Sequence, residues 1–187
     1  MRRYRATEVD AAAAFLRGGG VLAYPTEAVY GLGCDPDNRE AFARLFALKR
    51  RPPTQGVLLI AADFEQVRPW IGEAPAAALQ RARATWPGPH TWVFPRSARV
   101  PDWVAGAHAG IALRVTAHPL AAALCRAFGG PIVSTSANRH GEPPTITADA
   151  VQAALGEELE AVLDGPVGGL DRPTPIRDAL TDAIIRA

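Results

Sequence analysis

Lys49 is the single lysine of this chain, set against nineteen arginines, and it lies in the run Leu48-Lys49-Arg50-Arg51-Pro52. An ammonium is a compact charge on a flexible stem, whereas a guanidinium is a rigid planar fork. A sequence that writes its other cations as arginine therefore singles out position 49. One point charge and two forked donors beside a proline suit a polyphosphate. The helix dipole alone also favours a cation after a helix, so the cluster rather than Lys49 by itself carries this reading.

Two further stretches and one isolated residue add polar chemistry. Ser134-Thr135-Ser136-Ala137-Asn138 offers three hydroxyls and an amide in five residues, groups that hold phosphate oxygens or a base edge and equally close an ordinary turn. Pro25-Thr26-Glu27-Ala28-Val29-Tyr30-Gly31-Leu32-Gly33 brings a hydroxyl, a charge, a ring and two glycines that permit close backbone approach. Arg114, inside the apolar run Ile111-Ala112-Leu113-Arg114-Val115, needs a partner. A bound carboxylate or phosphate would serve, and so would an internal Asp or Glu.

Other chemistries have little support. No Gly-x-x-x-x-Gly-Lys-Ser/Thr occurs, and the histidines at 90, 108, 118 and 140 have no metal spacing. Cys34 and Cys125 fit neither a disulfide framework nor a paired zinc motif, and nothing sets Cys34 beside a histidine as nucleophile and base. The four tryptophans suit core packing better than base stacking.

The elements that must position these groups can be read from periodicity and breakers. Residues 7–18 predict a helix capped by Thr7 and stopped by Gly18-Gly19-Gly20. A strand follows at 21–24, and 25–33 reads as a loop at its end, where open α/β sheets place ligands. Asn38 is expected to cap a helix with an apolar stripe of Phe42, Leu45 and Phe46, which Pro52-Pro53 ends near Lys49. Strands at 57–61, 91–94, 111–115 and 131–134 alternate with helices at 63–69, which Asp63 is expected to cap, 75–85 and 119–128. A helix at 148–155 and apolar runs at 161–163, 176–180 and 183–185 complete the pattern. The alternation predicts an α/β fold, a mixed sheet flanked by helices in a single domain over 1–187.

Composition bounds the rest. With 187 residues, 48% hydrophobic, the chain can bury a substantial core. A formal net charge of +1 gives no case for a strongly basic nucleic-acid binder, so any anion site must arise from local clustering. The basic N-terminus lacks a long apolar run or cleavage-like site, and no stretch approaches the roughly 20 apolar residues of a membrane span. The expectation is a soluble, cytoplasmic protein with no membrane contact.

Six blocks in order, 25–33, 49–52, Trp86-Pro87-Gly88-Pro89-His90-Thr91, 112–115, 134–138 and Ile176-Arg177-Asp178, resemble the YrdC family and in particular its short bacterial form, TsaC. The resemblance runs from about residue 6 to 187. It implies a twisted α/β sheet with a concave, positively charged cavity. It also implies that L-threonine, bicarbonate and ATP are converted to threonylcarbamoyl-adenylate and pyrophosphate, with magnesium accompanying ATP and no tightly bound cofactor. The product would pass to a threonylcarbamoyl transferase complex that modifies the tRNA adenosine beside the anticodon; direct tRNA binding is left open.

By the same resemblance Lys49 and Arg51 would be catalytic and bind ATP with Ser136 and Asn138, while Thr26, Arg114, Ser134 and Thr174 would hold threonine and bicarbonate. No residue is assigned to a metal. Ala28 departs from the threonine that many members carry there. The competing class is a non-catalytic RNA-binding module of the same fold, which needs cations spread over a surface.

Overall fold

Short apolar runs bounded by glycine and proline become strands in a computed structural model that describes residues 1–50, 54–171 and 175–186. The strands are β1 (Arg2–Tyr4), β2 (Leu22–Pro25), β3 (Tyr30–Gly33), β4 (Leu58–Ala61), β5 (Thr91–Pro95), β6 (Gly110–Val115), β7 (Ile132–Ser136), β8 (Ala161–Leu163), β9 (Ile176–Asp178) and β10 (Ile184–Arg186). They form one mixed sheet in the order β1-β8-β2-β3-β7-β4-β6-β5-β9-β10. The helices are α1 (Val9–Arg17), α2 (Arg39–Lys49), α3 (Phe64–Val67), α4 (Ala76–Arg83), α5 (Asp102–Ala105), α6 (Pro119–Phe128) and α7 (Ala148–Leu155). Among the described residues no helix is long and apolar enough to cross a membrane.

Strand side chains alternate between the two faces of a sheet, and here the faces are covered unequally. One face carries Leu59, Trp92, Phe94, Ile111, Leu113, Val115 and Val133, which pack with Phe42 and Leu45 of α2, Ala78 of α4 and Val151 of α7. The other carries Leu22, Tyr24, Ile60 and Ile132, which pack under α1 and α6. Those two helices cover only part of their face. Leu58, Val93, Ala112, Arg114, Ser134 and Ser136, further along the same strands, border a cavity instead.

Local signals set the helix ends as expected in two places. The Asn38 side-chain oxygen accepts from the Ala41 N–H at 2.9 Å, and Asp63 accepts from the Gln66 N–H at 3.0 Å; such caps contribute about 1 kcal/mol each. Thr7 is not the cap predicted for the first helix. It lies inside a short 3-10 turn, Ala6–Glu8, and Glu8 precedes α1, because the Glu8 carboxylate accepts from the Arg5 N–H at 2.9 Å and tightens that turn.

Residues 25–33 are the larger correction. The segment is not a loop throughout: 30–33 is β3, hydrogen-bonded antiparallel to β2 and β7. Glycine ordinarily weakens a strand, but here the lack of side chains lets strands and rings close in. A Cβ on Gly33 would stand 2.5 Å from the Val133 carbonyl oxygen and 2.7 Å from Tyr24 Cε1. The strand β1 and the one-turn α5 are too short to show in sequence periodicity. Gly33→Ala should lower the unfolding free energy in urea by about 1–3 kcal/mol, as overpacking in a closed core does, whereas Gly129→Ala meets nothing within 4 Å and loses only what its positive φ costs.

Candidate active site

The register of the central strands explains how an arginine comes to sit in the sheet. Ile132, Ile60 and Arg114 form one cross-strand row, and Ser134, Leu58, Ala112 and Val93 form the next. Ile60 and Ile132 are fully buried beneath α6. Arg114 is therefore in the last row before the cavity, 8% exposed, with the smaller residues of the following row as the cavity floor.

That buried guanidinium is held by named partners. Nε and Nη2 donate to Thr91 Oγ1 at 3.0 and 2.8 Å, and Nη1 faces Glu27 Oε2 at 3.4 Å. Burial lowers the Arg114 pKa and the Glu27 charge opposes that shift, but a guanidinium stays protonated in proteins. Arg114 thus has the internal carboxylate partner that its sequence allowed and also borders the cavity.

Lys49 reaches the cavity from another direction. It is the last residue of α2 and is followed by Arg50 in the left-handed region at φ 52°. Its ammonium donates to the Ser136 carbonyl at 2.5 Å, the Asn138 carbonyl at 2.8 Å and Asn138 Oδ1 at 3.3 Å. Three oxygens converging on one nitrogen suit a tetrahedral donor and not a planar fork. The contact is returned: the His140 N–H donates to the Lys49 carbonyl at 2.9 Å, and Arg139 Nη1 donates to the Leu48 carbonyl at 3.4 Å. Helix end and turn are one unit.

The turn after β7 is fastened on its other side as well. The Ala137 N–H donates to the Tyr30 carbonyl, the Thr145 hydroxyl to the Ala137 carbonyl and the Asn138 amide to the Glu142 carbonyl at 2.5 Å. The Thr26 hydroxyl donates to the Val29 carbonyl at 2.6 Å and closes the turn between β2 and β3.

A cavity of about 830 Å³ lies between these groups, within the roughly 300–1,000 Å³ of small-molecule sites. Thr26, Lys49, Arg114, Ser134, Ser136 and Asn138 all border it. Arg51 and Thr174, the other two candidates, lie outside the described residues. Arg186, His108 and His140 also border it, and no carboxylate does among the described residues. Sequence reasoning missed these three. Arg186 ends a short exposed strand, and only the fold of β10 beside β9 brings it to the cavity.

Comparison with known proteins agrees with this architecture. Residues 14–187 match the Sua5/YciO/YrdC family model, described as telomere recombination. The chain belongs to the Sua5/YciO/YrdC family. Within that family it is 52% identical over 181 residues to the threonylcarbamoyl-AMP synthase of Xanthomonas campestris pv. campestris, covering 96% of this chain and 97% of that one. It is 56% identical over 178 residues to the enzyme of the same name from Alkalilimnicola ehrlichii, covering 94% and 93%. P. abyssi Sua5 complexed with L-threonine superposes with a TM-score of 0.88 at 32% identity over 95% of this chain, which spans only 53% of that longer protein. E. coli YciO, at 23% identity and a TM-score of 0.85 over 99% of this chain and 93% of its own, shares the fold.

Cysteine chemistry is remote from the site in this Sua5/YciO/YrdC chain. Cys34 and Cys125 are fully buried. Burial pushes the Cys125 thiol up to about 12 and raises that of Cys34 as well, so neither forms the thiolate that a nucleophile requires. Native protein at pH 8 should leave both thiols unreacted with a thiol-exchange dye, and both should titrate at once in guanidinium.

Proposed function

We propose that the chain is a threonylcarbamoyl-AMP synthase that works in the cytoplasm on L-threonine, bicarbonate and ATP. The observation that carries the reading is the cavity in which Lys49, Arg114 and Arg186 converge beside the 134–138 turn with no described carboxylate on its wall. The names of relatives above 50% identical over nearly the full chain support it. A surface RNA binder would spread its cations outward, whereas these face a shared concavity.

The reaction explains why cations matter more than a nucleophile. The threonine amine and bicarbonate form a carbamate and release water. A carbamate oxygen then attacks the α-phosphorus of ATP, forming a P–O bond as the bond to pyrophosphate breaks. Two unit charges about 4 Å apart repel by about 1 kcal/mol in water but about 4 kcal/mol at an effective dielectric of about 20. Preorganised positive charge is the remedy.

In this reading Lys49 and Arg51 bind ATP phosphates, and Ser136 and Asn138 shape the nucleotide side. Arg114 receives the threonine carboxylate or the carbamate, with Thr26, Ser134 and Thr174 around the amino acid. Lys49 has a double role, because the ammonium that would meet a phosphate also anchors the turn through the carbonyls of Ser136 and Asn138. Magnesium would enter with ATP and offset phosphate charge; a wall of hydroxyl, amide and cationic groups suits a metal held by phosphate oxygens. The adenylate would pass to a transferase that modifies tRNA.

Purified protein with ATP, magnesium and bicarbonate should release pyrophosphate only when threonine is added; threonine-independent release, or none, sinks the reading. Lys49→Ala should lower the rate by at least about 100-fold. Lys49→Arg should lower it by at least about tenfold, since the fork cannot reproduce the three converging bonds. Equal activity of Lys49→Arg and wild type would show that charge alone is required.

A further inference from the structure

Glu27 lies between two cavity-bordering residues, Thr26 and Ala28, yet is not itself part of the cavity wall. It is 6% exposed. Its carboxylate faces inward: Oε1 accepts from the Thr116 hydroxyl at 2.5 Å and from the Ala117 N–H at 3.3 Å, and Oε2 faces Arg114 Nη1 at 3.4 Å. A carboxylate so buried costs free energy unless its oxygens are satisfied, and here donors from three residues converge on it.

The backbone that carries Glu27 is held as firmly as its side chain. The Gly168 N–H donates to the Thr26 carbonyl at 2.9 Å and the Leu170 N–H to the Glu27 carbonyl at 3.1 Å. A Cβ on Gly168 would stand 2.9 Å from the Glu27 carbonyl oxygen. Glu27 is thus clamped between the segment after β8 on one side and the residues following β6 on the other.

We propose that Glu27 is a positioning residue, which orients the Arg114 guanidinium toward the anionic group of the amino-acid substrate through a path that never touches that substrate. Thr91 takes one edge of the fork and Glu27 another, so the plane of the guanidinium is set before any ligand arrives. A preset donor loses less freedom on binding than a swinging one. The inference rests on the synthase reading for the identity of the ligand, and it predicts an effect confined to the amino-acid side of the site.

The test compares threonine and ATP affinities, measured by equilibrium dialysis with radiolabelled ligand, alongside pyrophosphate release. Glu27→Gln keeps size but turns an N–H donor toward either Arg114 or Thr116. It should weaken threonine binding at least about tenfold while ATP binding changes less than about threefold. Glu27→Asp, which keeps the charge, should recover most of the loss. In an Arg114→Lys background Glu27→Gln should add less than about twofold, because the two act as one unit.

Should Glu27→Gln fail to fold, Thr116→Val removes one donor to Glu27 without touching Arg114 and should weaken threonine binding in the same selective way. Equal loss of threonine and ATP affinity, wild-type threonine affinity in Glu27→Gln or Thr116→Val, or no recovery in Glu27→Asp would overturn the proposal. Wild-type protein that binds threonine but releases no pyrophosphate would refute the synthase reading while the dialysis still judges Glu27.

Discussion

Part of one face of a ten-stranded sheet has no helix α1 or α6 above it, and the candidate site follows from that uncovered part. On the opposite face the same strands present Leu59, Trp92, Phe94, Leu113 and Val133 to packed helices. Alternation then forces their neighbours, Leu58, Val93, Ala112, Arg114 and Ser134, to line whatever stands on the other side. The smaller side chains of Ser134, Ala112 and Val93, in the row next to Arg114, leave volume for a ligand. The well-packed face supplies the rigidity that the hollow face lacks.

Cations beside a cavity need support that does not neutralise them altogether. Arg114 meets a hydroxyl and one carboxylate, and Lys49 meets carbonyl oxygens and an amide oxygen. Carbonyl dipoles hold an ammonium in place while leaving its formal charge uncancelled, which keeps it attractive to a phosphate. The same bonds tie the end of α2 to the turn after β7, so the shape of that part of the cavity wall depends on the ammonium to which the proposed function assigns the phosphates. Substitutions at Lys49 therefore mix loss of charge with loss of shape.

Much of this was legible along the chain. The side-chain caps at Asn38 and Asp63, the helix over 119–128 and the strands through Leu59, Trp92 and Leu113 all follow from local periodicity and capping chemistry. Thr26, Lys49, Arg114, Ser134, Ser136 and Asn138, singled out as binding residues by residue type and family resemblance together, all border the one cavity. What local pattern misread was governed by long-range contact. Tyr30-Gly31-Leu32-Gly33 looks like a loop until β7 is placed beside it, and Thr7 looks like a cap until Glu8 tightens the preceding turn.

The sequence by itself determined which residue types were available: one ammonium, a strand arginine and a cluster of hydroxyls. It also determined the α/β alternation, because apolar periodicity is a local property. Only tertiary structure decided that Glu27, 87 residues from Arg114, would be its buried partner and that Arg186 would border the same cavity. It also decided that Lys49 would grip carbonyls 87 and 89 residues away. Pairings across such separations depend on strand order and register, and neither is encoded in the spacing of any one segment.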